Sequence, residues 1–407
     1  IFFLTGPKGL RTSLKESKYK YQVAHWLEEL GRAMNIFKLS GKSGLPMQRT
    51  NSLANNYLVA RKSHFRILIV QYGSVVLFKT VVTAALLLLG SLLVIDNQIS
   101  IGQFVAAEIV VILILGSAEK LILSMETIYD VLTGLEKIGY LTDLPLEVDD
   151  GIPFREICED GDSISIEIDD LGFRYRDAQK HTLSELNLNI KKGERLCVAG
   201  YNSSGKSTLA QLVAGLYTDF EGMITYNNVP LHSLNIESLR EHIGSLGTQD
   251  DLFNASILEN INLGKNIDLK EIIAIARAID LHHYINHLPD GYKSILLAGG
   301  LNVPRSVRAK IILARAIIAN PSLLVIDHFI PRIEQKEKKK IIDFLTDKDK
   351  KWTLVAVSSN PELARQCDRV IVLKDGKIVA EGHFNDILSN QHVQEVFKLV
   401  HQEAKTT

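Results

Sequence analysis

Residues 11 to 65 are polar with helical periodicity, carrying Tyr19, Tyr21, Trp26, Leu27 and Leu30 among charges. The run Ser40-Gly41-Lys42-Ser43-Gly44-Leu45-Pro46 breaks that pattern, and a second helix starts after it. This helix runs into a far more apolar stretch. From Ile67 to Ile95 the only charge is Lys79; Asp96 to Ser100 form a short polar turn; Ile101 to Ala118 follow with Glu108 alone charged. Two apolar stretches of this length, joined by so short a turn, predict a transmembrane helical hairpin at about 66–119. A buried hairpin in a soluble protein is the alternative. Arg61, Lys62, Arg66 and Lys120 lie on the outer flanks and no basic residue lies in the turn. The positive-inside rule therefore puts both flanks in the cytosol and the turn outside.

Charges at membrane depth tend to line a pathway, so Lys79 and Glu108 are examined by level. At a rise of about 1.5 Å per residue from the turn, Lys79 lies roughly 28 Å down and Glu108 about 15 Å. Glu119 falls near the level of Lys79, which predicts a Lys79–Glu119 contact near the inner boundary, with snorkelling of Lys79 as the alternative. Glu108 is a candidate for facing a central cavity. The helical pattern resumes through Leu121, Met125, Ile128, Val131 and Leu135 to about Ile138, and Leu144 to Pro153 read as an acidic, turn-rich linker.

From about Ser163 strand and helix patterns alternate, as in an α/β nucleotide-binding domain. Ile164, Ile166 and Ile168 alternate with polar residues; the phase shifts at Asp169-Asp170 and resumes at Leu171, Phe173 and Tyr175. Next comes a buried strand, Arg195 to Ala199, then Gly200-Tyr201-Asn202-Ser203-Ser204-Gly205-Lys206-Ser207-Thr208, then a helix from Leu209. This fits G-x-x-x-x-G-K-[ST] in the strand–loop–helix context that gives the motif meaning. The loop's backbone N–H groups, from Gly200 through Asn202, Ser203, Ser204 and Gly205 to Thr208, turn around a phosphate chain. Lys206 adds a point charge, the helix N-terminus its positive dipole end, and Ser207 a hydroxyl for Mg²⁺. Downstream, Leu323-Leu324-Val325-Ile326-Asp327 is a short apolar strand ending in a carboxylate suited to hold Mg²⁺ opposite Ser207. Tyr175 is placed to stack on an adenine ring.

Composition changes little in this picture. At 407 residues the chain has room for two or three domains, and a formal net charge of −1 argues against a nucleic-acid partner. The three cysteines have no metal or redox spacing and suit a reducing compartment. The paired His282-His283 lack ligand partners at helical spacing, and Lys336 with Lys338 to Lys340 reads as a solvated helix face. The start at Ile1, without Met, reads as a cut through a longer protein.

On these residues the chain resembles the C-terminal part of an ABC exporter half-transporter: an all-α transmembrane segment followed by an α/β P-loop ATP-binding domain. It is most similar to the haemolysin and bacteriocin type, on Val23 to Leu30 and the hairpin region Phe65 to Ile138. The expected divisions are a partial transmembrane domain at 1–140, a linker at 141–162, the ATP-binding domain at 163–395 and a tail at 396–407. The resemblance implies ATP and Mg²⁺ as ligands and a second half-transporter subunit as partner. It also implies a lipid bilayer, the bacterial inner membrane, around the hairpin, with the ATP-binding domain in the cytoplasm. Outward transport of a peptide, protein or amphiphilic substrate is implied. A coupling helix would lie near Ser40 to Arg49. Tyr175 would be the adenine aromatic, and Gln249 the Q-loop glutamine that reaches Mg²⁺ and the attacking water. Arg369 to Gly382 match the family's closing strands.

Against that pattern the catalytic positions differ. His328 stands where the family has the glutamate that polarises water, and Ser359 where it has the switch histidine. Pro331-Arg332-Ile333-Glu334 stand at the D-loop. Leu297-Ala298-Gly299-Gly300 looks like a signature but sits in the wrong register; the helix Ile311 to Ala316 places that motif on Val303-Pro304-Arg305-Ser306-Val307. Pro304 removes an N–H where the family's signature grips phosphate, and Arg305 is a candidate replacement contact. A neutral imidazole accepts a proton but brings no negative charge, so slow hydrolysis is expected. Since ATP in such dimers is clamped between one subunit's phosphate loop and the other's signature, both composite sites are affected. Two readings follow: a transporter subunit with slow turnover, or a pseudo-ATPase scaffold. A soluble P-loop ATPase of another family does not account for the hairpin.

Overall fold

A computed structural model describes residues 2–147, 150–159, 161–247, 251–329, 333 and 335–398. The chain separates into two compact units, Ile1–Leu146 and Glu147–Thr407.

The first unit is helical: α1 (Phe2–Arg32), α2 (Met34–Leu39), α3 (Leu45–Ile95), α4 (Ile101–Leu123) and α5 (Met125–Thr142). The break expected near Ser40 separates α2 from α3. At 51 residues, α3 is about 76 Å long, over twice the hydrocarbon thickness; its apolar half is the first arm of the hairpin and α4 the second. Both are long and apolar enough to cross a membrane, and only 6% of each most apolar window is buried within the chain. Their outward side chains are therefore left for surroundings other than this chain. Gly90 lets the arms close: a Cβ there would lie 2.2 Å from the Phe104 ring. The expected ion pair is present, with Lys79 Nζ 2.8 Å from Glu119 Oε2. Counting levels works because helix rise is constant on both arms. Glu108 is half-buried.

Below the apolar arms, α1, α3 and α5 meet through buried polar side chains. Gln71 Nε2 donates to Thr5 Oγ1 and to the Tyr129 hydroxyl, both at 2.9 Å. His64 Nδ1 lies 3.0 Å from Thr12 Oγ1, and the Ser13 and Thr133 hydroxyls are 3.0 Å apart. Each is paired, as burial demands.

The second unit begins with β1 (Ile166–Phe173), β2 (Leu183–Ile190) and β3 (Arg195–Gly200), then α6 (Lys206–Val213), β4 (Glu221–Tyr226) and β5 (Val229–Pro230). A mostly helical stretch follows: α7 (Ile236–Glu241), β6 (Ile243–Leu246), β7 (Ala255–Ser256), α8 (Ile257–Asn262), α9 (Leu269–Ala278), α10 (His282–Asn286) and β8 (Ile295–Leu296). The chain continues as α11 (Arg305–Ile317), β9 (Leu323–Asp327), α12 (Gln335–Thr346), β10 (Thr353–Val357), α13 (Pro361–Gln366), β11 (Arg369–Lys374), β12 (Lys377–Gly382) and α14 (Gln391–Phe397). Among the described residues three sheets result: an antiparallel one in the order β2-β1-β4-β5, a mixed one in the order β12-β11-β3-β10-β9-β6, and the two-stranded pair β7-β8. The phase shift read at Asp169-Asp170 is a register irregularity between Ile168 and Leu171, with Asp170 at φ 49°.

The apolar run of β3 is explained by burial on both faces. Leu196 and Val198 join the core under the antiparallel sheet, while Cys197 and Ala199 join the core under α11 and α12. The segment read as a linker packs on this unit from its start. Arg240 holds the Glu147 carboxylate at 2.5 and 2.6 Å, Ile152 bridges to Leu234, and Phe154 is fully buried beside the His242 ring. Acidic, turn-rich composition marks irregular backbone; it does not say whether that backbone docks.

A candidate nucleotide site

In the mixed sheet β3, β10 and β9 run parallel side by side, with Val357 paired to Val198 on one flank and to Asp327 on the other. Their carboxyl ends therefore bring three expected site segments to one edge: the phosphate loop after β3, Ser359 after β10, and Asp327-His328 at the end of β9. Such edges are where α/β sheets bind ligands.

The loop conformation requires its glycines. Gly205, at φ 93°, caps α6, and a Cβ there would lie 2.6 Å from Leu183 Cδ2. At Gly200 a Cβ would lie 2.3 Å from the Leu373 carbonyl oxygen. Ser203 takes φ 59°. Asn202 and Ser203 are exposed, Ser204 and Thr208 buried, Lys206 and Ser207 half-buried. Lys206 Nζ donates to the carbonyls of Gly200, at 3.0 Å, and Tyr201, and lies 3.5 Å from Ser204 Oγ. Burial lowers its pKa below the ordinary lysine value, with the Asp327 carboxylate pulling the other way. The hydrogen-bond partners of the ammonium at the loop are thus neutral acceptors.

Tyr175 lies beyond the end of β1. Its hydroxyl is 3.0 Å from Thr208 Oγ1 and donates to Gln211 Oε1 at 3.4 Å. Its ring meets Phe173 edge-on at 5.0 Å and Tyr217 at 5.8 Å. The aromatic is thereby pinned beside the phosphate loop. Tyr217 completes the cluster; it lies in the loop after α6, where no local period marks it.

Asp327 is 3% exposed. His328 follows at φ 52°, and its Nδ1 lies 2.5 Å from Asp327 Oδ1. The imidazole is therefore turned back onto the carboxylate. Ser359 is exposed just past β10. Gln249 lies outside the described residues, as do Pro331, Arg332 and Glu334; Ile333 is buried in the core.

The two candidate signature segments are distinct in the structure. Pro304 is the N-cap of α11 rather than a residue of its first turn, and Arg305 is exposed at the start. The tempting Gly299-Gly300 forms a separate turn with both residues at positive φ. Arg308 pairs with Asp251 at 3.0 Å, and Arg315 donates to the Asp251 and Asn260 carbonyls, tying α11 to the segment that follows Gln249. The paired histidines do have a neighbour at helical spacing, contrary to expectation: the ring of His287, four residues on, lies 4.4 Å from that of His283, while His282 Nδ1 lies 2.9 Å from the Tyr292 hydroxyl.

Lys310, on α11, is 4% exposed and lies 2.9 Å from Glu337 Oε1 on α12. It also donates to the Asp280 carbonyl. Removing one partner of a buried pair strands the other charge, so Lys310→Ala is expected to destabilise the domain by about 3 kcal/mol. Chemical denaturation checks this; a loss below about 1 kcal/mol would mean Glu337 finds water once the lysine is gone.

Comparison with known proteins bears on this geometry. Residues 183–330 match the family model "ABC transporter". The Alpha-hemolysin translocation ATP-binding protein HlyB of Escherichia coli O157:H7 is 28% identical over 336 residues, 81% of this chain and 47% of that protein. The Leukotoxin translocation ATP-binding protein LktB of Pasteurella haemolytica-like sp. is 27% identical over 373 residues, 90% and 51% respectively. The ATP-dependent lipid A-core flippase of Legionella pneumophila strain Paris is 28% identical over 303 residues, 74% and 51%. This chain thus spans about half the length of the curated relatives it matches. The solved structure of a bacterial Atm1-family ABC exporter with ATP bound superposes with a TM-score of 0.86 at 20% identity, covering 99% of this chain and 71% of that one. That likeness carries the fold. Helical hairpin, mixed sheet, phosphate loop and matched segment agree: residues 183–330 carry an ABC transporter domain, and the chain as a whole is similar in sequence and fold to ABC exporter half-transporters.

Proposed function

We propose that this chain binds Mg-ATP and, paired with a second half-transporter subunit, couples that binding to outward transport of a peptide, protein or amphiphile. The membrane is the bacterial inner membrane, with the ATP-binding domain in the cytoplasm. The observation that carries the reading is the placement of Lys206 and the phosphate loop beside Asp327 at one sheet edge. Glu108, half-buried on α4, is the proposed membrane-depth contact for cargo.

In this reading the loop amides and Lys206 bind phosphate oxygens and the Tyr175 cluster orients the base. Ser207 and Asp327 supply the hard oxygen ligands that a magnesium ion sharing substrate phosphates takes from protein. The ion, when bound, neutralises charge on the phosphate oxygens. Gln249 and Ser359 are assigned to position water and γ-phosphate. His328 replaces a carboxylate and is engaged by Asp327, which supports slow hydrolysis and favours, as a second reading, a scaffold that uses ATP as a structural ligand.

The test is ATP binding and phosphate release by the purified protein in lipid nanodiscs. Saturable binding with slow turnover supports the first reading, and binding with none supports the scaffold. No binding refutes both.

A further inference from the structure

The phosphate-loop motif leaves the residue after its first glycine unrestricted, and here that residue is Tyr201. Its backbone is already committed. The N–H donates to the Leu373 carbonyl at 3.2 Å, and the carbonyl accepts from Lys206 and from the Ser204 N–H. The side chain reaches in the other direction, to α14. The hydroxyl donates to Glu395 Oε2 and lies 3.0 Å from His392 Nδ1. A carboxylate only accepts, so the single hydroxyl proton goes to Glu395 and His392 Nδ1 must be the donor. His392 meets the ring edge-on at 5.9 Å, and Lys374 Nζ stands 5.4 Å from its centroid.

The far end of this contact is fixed. Asn390 caps α14 by accepting from the His392 N–H, Val393 is fully buried, and Phe397 packs on Phe384 at 4.9 Å. Gln391 Nε2 holds the other oxygen of Glu395 at 2.9 Å. The hydrogen bond to Tyr201 is the first cause of a lowered Glu395 pKa, and it raises that of the tyrosine. One residue therefore holds Lys206 through its carbonyl and a C-terminal helix through its hydroxyl.

We propose that Tyr201 is a positioning residue: its hydroxyl fastens the phosphate loop to α14, so that affinity for a nucleoside diphosphate depends on the C-terminal helix. The proposal rests on the nucleotide reading above, and deepens it. Phenylalanine at this position keeps the ring against His392 and Lys374 and loses both hydroxyl bonds. The loop's first turn is then held by its backbone alone. Glutamine at 395 keeps an acceptor for the hydroxyl; alanine does not.

The experiment measures ADP and AMP affinity and apo melting temperature for the purified chain and its variants. Tyr201→Phe and Glu395→Ala are each expected to weaken ADP binding about five- to tenfold, and the double variant no more than Tyr201→Phe alone, since that change already removes the contact to Glu395. Glu395→Gln recovers most of the affinity. AMP binding and melting temperature stay unchanged, because AMP has no β-phosphate for the loop to cradle. Wild-type ADP affinity in Tyr201→Phe overturns the proposal. So does a loss that AMP shares and a lower melting temperature accompanies, which marks a structural role only. If the unaltered chain binds no ADP, the nucleotide reading itself fails. If it binds ADP and Lys206→Ala does not, that reading stands whichever way Tyr201 falls.

Discussion

Lys206→Ala is expected to weaken Mg-ATP binding by about 10²–10³-fold while leaving the apo protein folded. Charge-assisted bonds to phosphate contribute about 1.5–3 kcal/mol each, and the ammonium is placed to make more than one. Its present partners are two loop carbonyls and a serine hydroxyl. Release of those acceptors exposes them to water at a half-buried site, so their loss takes little from the fold. The loop's turns rest on the backbone conformation of Gly200 and Gly205 rather than on the ammonium, and the backbone cradle persists in the variant. Calorimetry of ATP binding with a parallel thermal melt separates the outcomes. Unchanged affinity would show that nucleotide, if bound, sits elsewhere. A melting temperature many degrees lower would show that the lysine holds the loop together.

What the sequence made legible follows the range of the forces involved. The helical hairpin and the parallel strands were readable because periodicity and run length mark such elements residue by residue. The Lys79–Glu119 pair was readable because two helices with one rise put equal residue counts at equal depth. The register of α11 came from spacing to Asp327, which leaves room for no insertion. By contrast, Thr12–His64, Lys310–Glu337 and Tyr201–Glu395 join residues far apart in the chain. Each of these side chains, viewed locally, is an ordinary polar residue on a helix or in a loop. The docking of Phe154 on the second unit escaped for the same reason. His328 was conspicuous as a substitution, but its turn onto Asp327 depends on a positive φ that no residue pattern announces.

His328→Glu carries the second large effect, an increase in ATP turnover of about 10²-fold or more, with ATP affinity nearly unchanged. A positioned general base contributes about 10²–10⁴ in rate. The present imidazole is poorly set for that work: one ring nitrogen is taken up by Asp327, and neither supplies negative charge. Freeing Asp327 from this contact also leaves both its carboxylate oxygens open to the magnesium ion it would hold. The left-handed backbone at 328 does not forbid the change, since Glu185 occupies φ 51° in the same domain. Ser359 limits the gain, so adding Ser359→His should raise turnover further than the two separate effects predict, as groups acting as a unit do. Phosphate release under saturating Mg-ATP measures all four forms. If the unaltered chain turns over briskly and His328→Ala stops it, histidine is the working base and slow hydrolysis is wrong. If His328→Glu binds ATP and still releases none, the limit lies in the opposing Val303 to Val307 segment. The chain is then a scaffold whose repair requires an intact signature from its partner.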